Sequence, residues 1–210
     1  RRQLLEIELR GIRSQMNPHF LFNAMSSIQN LIRKKEQEKA DVYLGQFAGL
    51  MRKTLRNTAE EYIPLTDEIE TLEQYCSLES LRHVFHYEFQ IDESIDAHNT
   101  YIPSMILQPI IENAIIHGLA PQTGARMLVV KISPGEKGLN CTITDNGIGI
   151  LAAQKYMEKK AHQSVGMKLV RQRLELMGLD GEEHLSITDR SNLSPPAQGT
   201  YVSLTIPVEK

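Results

Sequence analysis

The chain has no tryptophan, only two cysteines, and a 6% aromatic share across 210 residues. Cys76 and Cys141 stand far apart and form no CxxC pair, so neither a disulfide framework nor a thiolate zinc site is suggested. That usage fits a reducing cytoplasm. No apolar run approaches the roughly 20 residues that a membrane-spanning helix needs, and no signal peptide is visible. Positive charge is not in excess either: 23 Lys and Arg face 26 Asp and Glu, for a net charge of −3. Direct nucleic-acid binding through a broad basic field is therefore not expected. What is present is an ordinary globular composition, 41% hydrophobic and 23% charged, long enough for one large domain or two small ones with real cores. Arg1-Arg2-Gln3 lead straight into a helical pattern. A piece of a longer protein is the expectation from that opening, which leaves room for a membrane anchor upstream.

Apolar residues recur at helical spacing from Leu4 to Ile32, through Leu5, Leu9, Ile12, Met16, Phe20 and Leu31, a stripe suited to a bundle helix. Pro18 lies inside the pattern and is expected to kink or loosen it. A second helix is predicted from about Ala40 to Arg56, with the charged run Arg33 to Lys39 as the turn between. Thr66 reads as an N-cap, with Asp67 and Glu68 in the first turn, for a third helix reaching Leu81. The period then changes. His86–Ile91, Met127–Ile132, Leu139–Thr144 and Tyr201–Ile206 read as strands, with helices at Ser104–His117 and Gly166–Met177. Helices first and mixed elements afterwards predict an α+β chain of two domains, residues 1–82 and 83–210.

Four segments carry chemistry. Leu139 to Asp145 is a strand-like run ending in an acid, followed by Asn146-Gly147-Ile148-Gly149. Glycines let backbone approach a ligand, and a buried carboxylate accepts a hydrogen bond from an exocyclic amine; a plain Asp-Asn-Gly hairpin is the competing reading. Leu107 to Gly118 is apolar nearly all round, so Glu112, Asn113 and His117 need partners if buried. Asn113 and His117 are four apart and share an α-helical face, and an amide oxygen is a hard donor that suits Mg²⁺. Ser164-Val165-Gly166-Met167 opens a helix whose free N–H groups suit phosphate. Gly199-Thr200 opens the last strand.

Asn113, Asp145-x-Gly147-x-Gly149, Gly166 and Gly199-Thr200 follow the order of the ATPase domain shared by histidine kinases, gyrase, Hsp90 and MutL, which this chain resembles. The stretch Gln15-Met16-Asn17-Pro18-His19-Phe20-Leu21-Phe22-Asn23 looks like the PHFLFN phosphoacceptor box of LytS-like sensor histidine kinases. The similarity continues through Leu50-Met51-Arg52, Pro64-Leu65, Glu68 and the stretch from Tyr75 to Arg82. The resemblance implies a helical hairpin forming a dimeric four-helix bundle, then an α/β sandwich that binds ATP, its helices on one face of a mixed sheet. It makes His19 the phosphoacceptor and Asn113 the Mg²⁺ ligand. Asp145 becomes the adenine acceptor, with Gly147 and Gly149 shaping its pocket and Thr200 beside the base. His117, Ser164, Gly166 and Met167 complete the expected nucleotide-binding set, and residues 150 to 163 become a lid. The implied partners are a second copy of the chain and a response regulator receiver domain, and the implied place is the cytoplasmic side of the inner membrane. Two other readings stay open. One is a non-kinase ATPase, against which Pro109 occupies the position where such enzymes carry a carboxylate. The other is an ATP-binding scaffold that transfers nothing.

Overall fold

Helix α1 (Pro18–Arg33) and helix α2 (Gln37–Thr58) form a hairpin whose turn places Lys35 at a φ of 61°. The computed structural model describes residues 18–153, 165–177 and 179–209. The expected helix before Pro18, and with it the Pro18 kink, lies outside the described residues. α2 begins at Gln37, three residues ahead of the predicted start. Phe20 and Ala24 of α1 and Tyr43 and Leu50 of α2 are buried. The Phe20 ring lies 5.6 Å from Phe47 and 5.1 Å from Tyr75. Tyr75 belongs to helix α3 (Leu65–His83), so three helices meet at the residue next to His19.

The cap of α3 differs from expectation. Pro64, at a φ of −54°, holds the N-cap position, and Thr66 sits inside the first turn. No capping side chain is needed because a loop supplies acceptors: Leu65 N–H donates to the Thr100 carbonyl (2.8 Å) and Thr66 N–H to that of Ala97 (3.0 Å). Pro64 also ends strand β1 (Tyr62–Pro64), which pairs antiparallel with β3 (Tyr101–Pro103). Both strands are too short to show a period of two, so neither is among those the sequence predicts.

Among the described residues the main sheet has five strands, β2 (His86–Ile91), β4 (Met127–Gly135), β5 (Gly138–Asp145), β6 (Leu185–Asp189) and β7 (Thr200–Ile206), in the order β2-β4-β5-β7-β6. β2 and β4 are parallel and the other neighbours antiparallel. β6 is an addition to the expected strands. Alternation sends Leu128, Val130 and Ile132 of β4, Cys141 and Ile143 of β5, and Val202, Leu204 and Ile206 of β7 into the core. Apolar residues of α3, of α4 (Gln108–Asn113) and of α5 (Val165–Leu176) join the same cluster, which gives the expected α+β layering. Each such fully buried aliphatic side chain contributes roughly 1.5–3 kcal/mol. Asp145 is in phase with Cys141 and Ile143, so the pleat delivers its carboxylate to the covered side. The register puts it opposite Leu128.

The helix expected over Ser104–His117 is divided. Residues 104–107 form a turn in which Met105 adopts a φ of 57°. Glu68 of α3, 1% exposed, accepts from Met105 N–H (2.9 Å) and Leu107 N–H (3.2 Å), so the α-helix starts only at Gln108. From Ala114 to Leu119 the chain is a π-helix, closed by the Ala120 N–H to Ile115 carbonyl bond (2.8 Å).

Candidate nucleotide site

Asp145 ends β5 and is 3% exposed. Its Oδ1 accepts from Gly147 N–H (2.8 Å) and from Thr200 N–H (3.3 Å). Burial pushes its carboxyl up to about 6, against the opposing pull of those hydrogen bonds and of the Arg190 charge. Near neutral pH it is therefore ionised and can only accept hydrogen bonds. A buried acceptor of this kind, held from the turn that follows it and from the start of β7, is suited to an exocyclic amine.

The turn after Asp145 is not a hairpin. β5 pairs with β4 before it and β7 far downstream, while the chain beyond Gly149 enters a helical turn at Ile150. Asn146 closes the other side: its Oδ1 accepts from Met127 N–H (2.7 Å) and its Nδ2 donates to the Ala125 carbonyl (2.9 Å). Gly147 passes so near the π-helix that a Cβ would stand 2.3 Å from the Gly118 carbonyl carbon. Ile148 N–H donates to that same carbonyl group (3.1 Å). Gly199, at a φ of +109°, lies so close to β5 that a Cβ would meet the Asp145 carbonyl oxygen at 2.0 Å. Both glycines are needed for backbone approach.

Asn113 is the last residue of α4, and its amide nitrogen is buried without a hydrogen-bond partner among the described residues; so are the Gln108 Oε1 and the Tyr75 hydroxyl. Gln108 Nε2 donates to Glu112 Oε1 (2.9 Å). The Asn113 amide can turn either end toward a ligand, and its oxygen is a hard donor of the kind Mg²⁺ takes. Asn113 ends α4, and His117 lies in the π-helix that follows directly.

The structure thus brings Asp145, Gly147 and Thr200 together, with Gly149 immediately beyond them. Gly166 and Met167 lie in the first turn of α5, and Met167 packs in part against the core; α5 packs on α4, which carries Asn113. Ser164 and most of the expected lid lie outside the described residues. His19 is in the first turn of α1, and its side chain also lies outside them. Nothing in the local sequence marks Asp189 or Arg190, because each acts across the fold: Asp189 receives the Ile150 amide (2.8 Å), and Arg190 Nη1 donates to the Asp145 carbonyl (3.0 Å). Arg173 of α5, by sequence either a source of charge for the phosphates or part of a solvated helix face, donates to the Ser104 carbonyl and balances Glu68.

Two family models match the chain. The one described as histidine kinase matches residues 7–86, and the one described as histidine kinase-, DNA gyrase B-, and HSP90-like ATPase matches residues 102–210. Similar curated proteins include the sensor protein LytS of Oceanobacillus iheyensis, 32% identical over 90% of this chain and 34% of that protein. The sensor protein kinase HptS of Staphylococcus aureus is 30% identical over 100% of this chain and 40% of its own length. The chain spans about a third to two fifths of these relatives. Among solved structures, one titled a bacterial phosphotransferase aligns with a TM-score of 0.53 at 15% identity, covering 88% of this chain and 89% of its own. The histidine kinase domain of an Erythrobacter litoralis blue-light activated kinase aligns at 0.50 with 16% identity, covering 89% and 91%. At such identities these two establish shared fold.

Proposed function

This chain belongs to the histidine kinase-, DNA gyrase B-, and HSP90-like ATPase family, and from that premise we propose that it is the ATP-binding and phosphoacceptor portion of a two-component sensor histidine kinase. The observation that carries the reading is Asp145, a buried carboxylate held by Gly147 and Thr200 beside a backbone turn with no room for side chains. Asp145 accepts the adenine amine, and Asn113 would hold Mg²⁺, which neutralises phosphate charge when bound. The amino end of α5, around Gly166 and Met167, faces the phosphates, with His117 on the π-helix also near the nucleotide.

His19 attacks the γ-phosphorus in line. An imidazole nitrogen forms the N–P bond, the bond from that phosphorus to the β,γ-bridging oxygen breaks, ADP leaves, and the imidazole gives up a proton. Neutral imidazole is a competent nucleophile because its unperturbed pKa is about 6.5. The phosphoryl group then passes to an aspartate of a response regulator receiver domain. Residues 1–82 serve as the dimerisation and phosphoacceptor unit and 83–210 as the catalytic unit. A homodimer is supported by large apolar side chains left open on the hairpin: Phe22 is 69% exposed, Met25 58%, Ile32 53% and Leu44 49%. In the whole protein this portion lies on the cytoplasmic side of an inner-membrane sensor. No helix among the described residues is long and apolar enough to cross a membrane.

The test is incubation with γ-labelled ATP and Mg²⁺. Acid-labile, alkali-stable label on the protein is expected. Free phosphate without protein label would make the chain an ATPase, and binding with neither would make it a scaffold.

A further inference from the structure

The edge strand β6 ends at Asp189, and Arg190 opens the 3-10 turn that follows; neither residue has a task in the motifs or in the proposed chemistry. Asp189 pairs with Thr200 across the β6–β7 ladder. Its Oδ2 accepts from Ile150 N–H (2.8 Å) and, more weakly, from Leu151 N–H (3.4 Å). Those amides open the helical turn after Gly149, where a carboxylate satisfies donors that the helix leaves unpaired. The other oxygen, Oδ1, accepts from Ser191 N–H (3.0 Å) and Ser191 Oγ (2.7 Å), which fixes the direction in which the carboxylate points. The Ser191 hydroxyl and these amides hold its carboxyl below the usual range, so it stays charged near neutral pH.

The next residue works at the other end of the same turn. Arg190 Nη1 donates to the backbone carbonyls of Asp145 and Gln198, each at 3.0 Å. Its own N–H donates to the Gly199 carbonyl (2.9 Å), and its carbonyl accepts from Ala197 N–H (3.0 Å). Two consecutive residues, at the end of β6 and just after it, therefore clamp Asp145–Leu151 at its start and at its finish. Between the two anchor points lies the Gly147 amide that orients the Asp145 carboxylate. The geometry assigns Asp189 and Arg190 as positioning residues for the adenine end of the site. They set its affinity from outside, by fixing the turn that aims Asp145, and they leave the phosphate end alone. This rests on the reading that Asp145 receives the adenine amine.

The experiment titrates the whole chain and its Asp189→Ala and Asp189→Asn variants with ATP, adenosine and inorganic tripolyphosphate. Loss of the charged acceptor in Asp189→Ala is expected to weaken ATP and adenosine by the same factor, about tenfold. Tripolyphosphate binding should be unchanged, and so should the phosphorylation rate at saturating ATP. Asp189→Asn, which keeps one acceptor oxygen, should fall between. A residue that merely stabilised the fold would lower the melting temperature without moving the adenosine affinity. That outcome overturns the proposal, as does an equal loss for tripolyphosphate. Should Asp189→Ala fail to fold, Asp189→Asn decides alone: adenosine affinity within twofold of the parent rejects the assignment. Asp145→Asn serves as control. If it too leaves ATP binding intact, the nucleotide-site reading fails; if it abolishes binding while both Asp189 variants bind normally, only the clamp fails.

Discussion

Replacing Asp145 with Asn separates what the residue does for the fold from what it does for a ligand. Burial moves its carboxyl from 3.8 to about 6, so holding it ionised at pH 7 costs the folded state ~3 kcal/mol relative to the unfolded chain. Asn escapes that cost and keeps an oxygen for the Gly147 and Thr200 amides. Its new NH₂ group lacks an assured acceptor, which returns about 1–3 kcal/mol. The free variant should therefore match or exceed the parent in stability at pH 7, by up to ~2 kcal/mol. The pH dependence has a definite sign. A carboxyl raised in the folded state binds its proton more readily there, so its contribution is most favourable below about 4 and is lost as pH rises through about 6. The gap between variant and parent should thus open between pH 4 and 6 and stay constant above. Binding runs the other way, because losing a charge-assisted bond to the adenine amine costs roughly 1.5–3 kcal/mol, or about 10- to 150-fold in affinity. Urea unfolding across that pH range and calorimetric ATP titration measure both effects. A variant clearly less stable than the parent at pH 7, with ATP bound as tightly as before, would mean that Asp145 serves the fold and not a ligand.

Two further substitutions probe the scaffold. Gly199→Ala combines a strained positive φ with a Cβ driven into the Asp145 carbonyl, and should cost more than ~3 kcal/mol in denaturant unfolding along with ATP binding. Phe20→Ala removes a ring packed on Phe47 and Tyr75; about 3 kcal/mol should be lost, with isolated nucleotide affinity retained, as calorimetry would show.

The strands were legible where one face is buried for long enough to alternate. His86–Ile91 stands where the sequence put it, and β4, β5 and β7 differ only by residues added at their ends. Asp145 was legible for the same reason, since the inward phase of Cys141 and Ile143 carries through to it. β6 escaped because Ser186 and Thr188 give it little apolar signal; it exists by pairing with β7. Glu68 read as an ordinary first-turn acid, yet its carboxylate is buried and shapes the turn before α4. No local pattern distinguishes those two uses of a glutamate. The π-helix after Asn113 is likewise a tertiary outcome: the Gly118 carbonyl is engaged by Ile148 and its Cα faces the Asp145 side chain. The Asp189 and Arg190 anchors bridge about 40 residues of sequence, a span over which periodicity carries no information.

Mass spectrometric mapping at neutral pH, after incubation with Mg²⁺ and ATP, would locate the phosphoryl group directly. One modified peptide is expected, carrying phosphohistidine at His19 and absent from His19→Gln and from Asp145→Asn at limiting ATP. Phosphate on any other side chain, or the same modification persisting in His19→Gln, would contradict a phosphoacceptor role for His19.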